Sequence, residues 1–191
     1  MNNYFDKNDE DLVKLSLKDA DVFSIIIDRY REKLFLYIKR ISNVSKEEAE
    51  DLLQEIFLKT YLNLNDYNPE LKFSSWIYRI SHNQVISYFR KMKARPEGNN
   101  LQLDDNLIDN LYSNSDILDD IDKNIDKNNI LAVLNSLDKK YKEVLVLKFL
   151  EEKSYLEISD IIKKPQGTVA SMINKAKSKF RKEIEDKNIN F

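Results

Sequence analysis

Two stretches of the sequence have the composition of a surface that binds nucleic acid. The run from Arg79 to Arg95 contains five basic residues and no acidic one, and the run from Lys163 to Lys182 contains seven basic residues and no acidic one. Clustered Lys and Arg side chains are typical of proteins that contact phosphate groups. A solvated helix surface can carry the same charges, so composition alone leaves both interpretations open.

Catalytic chemistry has little support in the sequence. The chain has no cysteine, which excludes a disulfide framework, a thiolate zinc site and a cysteine nucleophile. Its single histidine, His82, leaves little scope for an imidazole metal site or a histidine-dependent triad. A glycine-rich phosphate loop and a cluster of metal ligands are also missing. These absences disfavour an enzyme, and we expect no cofactor and no bound metal.

Membrane insertion is not predicted either. No stretch approaches the roughly 20 apolar residues of a transmembrane helix. The acidic start, MNNYFDKNDED, is unlike a signal peptide. We therefore expect a cytoplasmic protein.

Charge and composition divide the chain into three parts. Residues 1–95 hold 16 basic and 15 acidic side chains, residues 96–128 hold 2 and 9, and residues 129–191 hold 13 and 9. The middle part is rich in Asn, Asp and Ser, and its apolar residues define no clear face, which predicts an acidic, flexible linker. The chain has only two glycines and three prolines, and its apolar residues recur at helical spacing. We predict an all-α fold with helical domains at 1–95 and 129–191.

The first domain is predicted to contain an amphipathic helix opened by a capping box. Ser45 and Glu48 have the spacing in which the hydroxyl and the carboxylate each accept a backbone amide proton. The residues of this helix that we expect to be buried are Ala49, Leu52, Leu53, Ile56, Phe57 and Tyr61. Its opposite face carries Asp51, Gln54 and Glu55, which the residues alone describe as a solvated surface.

A further helix is predicted from about Phe73 to about Ala94. Its buried sector contains Phe73, Ile77, Ile80, Gln84 and Tyr88. Its other side carries Arg79, Asn83, Ile86 and Arg90, flanked by His82 and Lys93. Such a mixture of guanidinium, carboxamide and ring groups can contact phosphates and unpaired bases. Tyr67, in the preceding loop, could add a stacking surface.

The last part of the sequence predicts a helix-turn-helix. Asp138 caps a helix that buries Tyr141, Val144, Leu145 and Phe149, and a second capping box, Ser154 with Glu157, opens a short helix. A break at 163–167 precedes a basic helix that buries Val169, Ile173, Ala176 and Phe180. This arrangement can place the basic helix in the major groove of DNA. The candidate DNA-binding residues are Gln166, Thr168, Ala170, Ser171, Asn174, Lys175, Ser178 and Arg181.

Three motifs in this order resemble the extracytoplasmic-function (ECF) sigma factors, small bacterial members of the sigma-70 family that keep only regions 2 and 4. The motifs are DLLQEIF at 51–57, FSSWIYRI at 73–80 with Asn83, and SYLEI at 154–158 with PQGTV at 165–169. The resemblance spans nearly the whole chain. It implies a sigma factor that directs transcription initiation and is monomeric when free, with core RNA polymerase, promoter DNA and an anti-sigma factor as partners.

The resemblance also implies roles for single residues. Asp51, Gln54 and Glu55 would bind the clamp helices of the polymerase. Minus-ten DNA would be bound by Tyr67, Arg79, His82, Asn83, Arg90 and Lys93, with Tyr67 and Asn83 lining the pocket for an extruded base. Region 4 would sit on the polymerase flap and read the minus-thirty-five element with the residues of the last helix.

The sequence departs from the family at the recognition helix. Family members usually follow Gly-Thr-Val with a basic residue, Ser and Arg, whereas this chain has Ala170, Ser171 and Met172. Loss of two cationic side chains predicts a different or weaker minus-thirty-five preference. The alternative to a sigma factor is a self-sufficient helix-turn-helix regulator, which would bind a DNA palindrome as a dimer without polymerase.

Overall fold

The structure, a computed structural model, describes residue 4, residues 6–94 and residues 124–187. These residues form helices and connecting turns, without a strand among them. The all-α prediction is therefore confirmed. Most of the predicted acidic linker at 96–128 lies outside the described residues.

The N-terminal domain consists of four α-helices and two short 3₁₀ turns. The α-helices are α1 (Asp9–Ser16), α2 (Phe23–Ser42), α3 (Lys46–Leu62) and α4 (Phe73–Ala94), and the 3₁₀ turns are Ala20–Val22 and Leu64–Asp66. The predicted capping box is present at the start of α3, where Glu48 N donates to Ser45 Oγ at 3.1 Å and Ser45 N donates to Glu48 Oε2 at 2.8 Å. The core of this domain lies between α2, α3 and α4.

The C-terminal domain contains the predicted helix-turn-helix. Its helices are α5 (Asn124–Asn135), α6 (Lys139–Leu145), α7 (Tyr155–Ile162) and α8 (Gln166–Asp186), with one π-helical turn at Val146–Leu150. The second capping box, Ser154 with Glu157, opens α7. Lys163 ends α7 in the left-handed conformation, with a φ of 52°. Asn43 ends α2 in the same way, with a φ of 53°. Gly167 lies inside the first turn of α8, so the reversal itself depends on Lys163 and Pro165.

Two expectations about buried aromatic residues are wrong. Phe149 is 53% exposed, while Val146 and Leu147 are fully buried. The π-helical turn adds a residue to the helical repeat and thereby rotates Phe149 away from the core. Tyr61 is 39% exposed, because it lies at the edge of α3 and only one side of its ring packs on Phe23.

Helix α4 has two buried faces, of which the sequence predicts only one. Phe73, Ile77 and Gln84 face the N-terminal core as expected. A neighbouring face, which includes Tyr78 and Val85, is also buried. Helix α4 packs against α7, so the two domains contact each other directly.

Candidate functional site

The contact between the domains is organised around two glutamates of the C-terminal domain. The first is Glu151, whose side chain is only 6% exposed. Its Oε1 accepts from Arg40 Nη1 of α2 at 2.9 Å, and its Oε2 accepts from the Tyr78 hydroxyl of α4 at 2.5 Å. Burial and the Glu151 carboxylate raise the pKa of Tyr78, so the phenol stays protonated and continues to donate.

The second glutamate, Glu143 of α6, also contacts both α2 and α4. The Tyr37 hydroxyl donates to Glu143 Oε1 at 2.8 Å, and His82 Nδ1 lies 2.5 Å from the same oxygen. Burial, followed by Glu143, raises the pKa of Tyr37. We call Glu143 and Glu151, together with Tyr37, Arg40, Tyr78 and His82, the interdomain cluster.

Further polar contacts surround the interdomain cluster. Lys142, which is 4% exposed, donates to Asn43 Oδ1 at 2.9 Å. Lys72 pairs with Glu157 at 3.2 Å. The ammonium group of Lys153 lies 4.4 Å from the centre of the Tyr78 ring, and burial lowers the pKa of this lysine. The domain contact is therefore charged and hydrogen-bonded as well as close-packed.

The candidate minus-ten residues of α4 lie in two different environments. His82 is enclosed in the interdomain cluster, with 13% of its side chain exposed. Asn83, Arg90 and Lys93 are exposed, and Arg79 is half-buried. The exposed residues are available to a nucleic acid strand, whereas His82 is covered by the C-terminal domain.

Tyr67 lies inside an aromatic cluster and not on the surface of its loop. It is 9% exposed, and its ring centre is 5.5 Å from that of Phe73 and 5.4 Å from that of Trp76. Its hydroxyl donates to the carbonyl of Leu71. Burial, followed by the carboxylates of Glu10 and Asp9, raises the pKa of Tyr67 to about 12. In this arrangement the ring supports the loop from below, and stacking on a base requires the ring to be uncovered.

The three candidate polymerase-binding residues share an exposed face of α3. Asp51, Gln54 and Glu55 are all exposed. Leu58 and Leu62 continue the same face and are 59% and 67% exposed. Sequence reasoning missed these two leucines, although their spacing from Asp51 at i+7 and i+11 places them on one side of a helix.

Helix α8 presents most of the candidate minus-thirty-five residues to solvent. Ala170 is half-buried, and the exposed ones are Gln166, Thr168, Ser171, Asn174, Lys175, Ser178 and Arg181. Lys177 and Lys182 are exposed as well and line a shallow groove with Asn174 and Arg181. These two lysines belong to the run from Lys163 to Lys182 that has no acidic residue. That run could have identified them as candidate DNA-binding residues.

An apolar groove lies beside this basic groove in the C-terminal domain, and the two grooves share Lys177 and Arg181. Its apolar lining consists of Ile130, Leu134, Leu145, Phe149, Leu150 and Phe180. Lys177 and Arg181 stand at its rim. The exposure of Phe149, which the π-helical turn produces, thus contributes an aromatic wall to this groove.

Residues 6–94 and 124–187 carry neither a membrane-spanning helix nor a cluster of metal ligands. Among the described residues, no helix is both long and apolar enough to cross a bilayer. Within those ranges there is also no group of three or more acidic or imidazole side chains that could hold a metal ion.

Comparison with known proteins assigns both domains. A family model for sigma-70 region 2 matches residues 26–95, and one for sigma-70 region 4 matches residues 127–180. The ECF RNA polymerase sigma factor SigW of Bacillus subtilis is 33% identical over 178 residues, which cover 88% of this chain and 91% of the relative. The ECF RNA polymerase sigma-E factor of Haemophilus influenzae is 28% identical over 171 residues, which cover 87% and 89%.

Two solved structures share the fold. CnrH in complex with the cytosolic domain of CnrY has a TM-score of 0.67 at 17% identity, covering 93% of this chain and 97% of that one. The sigma factor RpoE of Bartonella quintana, in complex with the anti-sigma factor NepR, has a TM-score of 0.66 at 19% identity, covering 85% and 96%.

The order of the two domains and these matches define the class of protein. The chain belongs to the ECF sigma factors of the sigma-70 family. Its function is that of an RNA polymerase sigma factor in promoter-specific transcription initiation, in a family whose curated relatives are bacterial and are not enzymes.

Proposed function

We propose that the chain binds core RNA polymerase through α3 and the apolar groove, melts the minus-ten element with α4, and reads the minus-thirty-five element with α8. The observation that carries this proposal is the presence of regions 2 and 4 on one chain, each with an exposed basic helix. Phosphate contacts from such helices fix the position of a protein on DNA, while other side chains read the bases.

Two surfaces are proposed to bind the polymerase. The face of α3 combines the polar groups of Asp51, Gln54 and Glu55 with the exposed leucines Leu58 and Leu62. A surface that combines exposed apolar and polar side chains in this way is typical of protein interfaces. The apolar groove beside Phe149 is proposed to receive the flap of the polymerase, since it offers an apolar lining with a basic rim.

Minus-ten DNA is proposed to run along α4. Arg90 and Lys93 would hold phosphates, while Asn83 and Arg79 would contact extruded bases or the adjacent backbone. His82 and Tyr67 complete this site only after a rearrangement, because the first is covered by the C-terminal domain and the second by its aromatic neighbours.

The domains are proposed to separate when the protein acts. The minus-ten and minus-thirty-five elements lie about 25 base pairs apart, or roughly 80 Å along B-form DNA. Two contacting domains of this size have centres only roughly 30 Å apart. Both elements can therefore be bound at once only if the interdomain cluster opens. The closed arrangement is the form of the free chain.

The unusual residues of α8 give a testable prediction for the minus-thirty-five element. Ala170→Arg restores a cation to a half-buried position near the exposed Asn174. A new bidentate contact with guanine contributes about 1–3 kcal/mol, which is roughly 5- to 150-fold in preference between promoters. Transcription from a library randomised at the minus-thirty-five element measures this change, and Lys187→Ala at the end of α8 is the control. An unchanged preference would contradict the placement of α8 on this element.

Reconstitution tests the proposed function as a whole. The purified chain is added to sigma-free core polymerase and a promoter library, and transcripts are sequenced. A sigma factor binds promoters weakly until core polymerase is present, and then initiates at a defined subset. A self-sufficient helix-turn-helix regulator would instead bind duplex DNA tightly by itself, as a dimer on a palindrome. Initiation at no promoter would refute the proposal.

We also propose a cellular location, an oligomeric state and a further partner for the chain. The chain is expected to work in the cytoplasm, where polymerase and DNA are, as a monomer when free and without catalysis of its own. The sigma factor of Bartonella quintana was solved with an anti-sigma factor. We include an anti-sigma factor among the proposed partners of this chain.

A further inference from the structure

Helix α1 lies before the region matched by the region-2 model. Two consecutive acidic residues of α1 form hydrogen bonds with α2 and with α4. Asp9 accepts from Arg29 Nη1 at 2.8 Å and from the Tyr30 hydroxyl at 2.5 Å, both on α2. Glu10 Oε1 accepts from the backbone amide of Phe73, the first residue of α4, at 3.2 Å. Leu12 and Val13 anchor α1 in the core below.

Glu10 supplies a cap that α4 does not carry in its own sequence. The first amides of a helix have no partner within the helix, and a preceding Ser, Thr, Asp or Asn side chain usually accepts one of them. The residue before α4 is Lys72, whose side chain has no acceptor. A carboxylate at this end also interacts favourably with the helix dipole. The cap of α4 therefore comes from another helix, more than 60 residues earlier in the chain.

The capped residue lies at the centre of the aromatic cluster beneath the loop at 63–72. The ring of Phe73 contacts that of Tyr30 at 5.7 Å, that of Tyr67 at 5.5 Å and that of Trp76 at 5.7 Å. Asp9 holds Tyr30 on one side of this cluster, and Glu10 holds the backbone of Phe73 on the other. Helix α1 thus fixes the start of α4, and through Phe73 it contacts the aromatic cluster.

We propose that Glu10 is a positioning residue for minus-ten recognition, which holds the first turn of α4, the helix proposed to run along the DNA strand. The inference rests on the proposed function of α4. Glu10 acts through the backbone amide of Phe73 and needs no contact with DNA.

Three substitutions at one position separate geometry from charge. Glu10→Gln keeps an oxygen acceptor at the same reach, Glu10→Asp keeps the charge but shortens the side chain, and Glu10→Ala removes both. Asp11→Ala is the control, because Asp11 is also in the first turn of α1 and pairs only weakly with Lys14 at 3.9 Å. Each variant is assembled with core polymerase, and opening of a promoter carrying 2-aminopurine in the minus-ten element is followed by fluorescence.

We expect Glu10→Ala and Glu10→Asp to open the promoter about tenfold more slowly, with unchanged affinity for core polymerase. Glu10→Gln should stay within about twofold of the wild type, and Asp11→Ala should match it. Wild-type opening rates in both Glu10→Ala and Glu10→Asp would overturn the inference. So would an equal loss of polymerase binding and opening, or a defect in Glu10→Gln as large as in Glu10→Asp. If the wild-type chain opens no promoter, the proposed function itself fails.

Discussion

Replacing Glu151 with alanine is expected to open the free chain. The substitution leaves the Arg40 guanidinium and the Tyr78 hydroxyl without the carboxylate that both now share, and Tyr78 is only 2% exposed. Loss of hydrogen bonds to a charged group costs about 2 kcal/mol, which changes the ratio of closed to open chains by roughly 30-fold. Each domain keeps its own core, so the temperature at which each domain unfolds should change little.

The opening can be measured because the chain has no cysteine of its own. A pair of introduced cysteines at the exposed positions Lys18 and Glu185 carries one fluorophore on each domain. Energy transfer between them should fall in Glu151→Ala. Glu152→Ala is the matched control, since Glu152 is the exposed neighbour of Glu151, and it should leave energy transfer unchanged. Equal transfer in both variants would mean that the interdomain cluster does not hold the domains together.

The second large effect is expected at the polymerase-binding face of α3. Leu58 is 59% exposed in the free chain, so Leu58→Asp should not disturb folding. If the polymerase covers this position, the new carboxylate becomes buried without a partner, which costs about 3 kcal/mol or roughly 100-fold in affinity. Titration of labelled chain with core polymerase measures this loss.

Leu17, at the end of α1, provides a matched control for Leu58→Asp. Leu17 is 48% exposed and directly follows α1, so it is not part of α3. Leu17→Asp introduces the same charge on the same kind of exposed leucine and should leave polymerase affinity within about twofold. If Leu58→Asp also binds core polymerase as the wild type does, the proposed interface on α3 is wrong.

Local features of the fold could be predicted because their causes are local. The two capping boxes, at Ser45 and Ser154, need only residues three positions apart, and both are present. The buried sector of α4 around Ile77 follows from helical periodicity. The exposed position of Phe149 could not be predicted from periodicity. One π-helical turn shifts the helical register, and the local sequence gives no sign of this turn.

The interdomain cluster could not be predicted from the sequence either. Glu143 and Glu151 look like ordinary surface acids on an amphipathic pattern, and their partners on α2 and α4 are between 61 and 111 residues away. The burial of Tyr78 has partly the same cause, since its ring packs on Tyr37 of its own domain while its hydroxyl is covered by Glu151 of the other domain. The cap that Glu10 gives to α4 is likewise a contact between distant residues.

We propose that the free chain is closed and opens when it joins the polymerase at a promoter. Energy transfer between probes at positions 18 and 185 tests it most directly, measured in the free chain, in complex with core polymerase and on promoter DNA. We predict lower transfer in the promoter complex than in the free chain, because in that complex the domains must span roughly 80 Å. Unchanged transfer in a complex that is active in transcription would show that the two domains stay in contact and that the proposed opening does not occur.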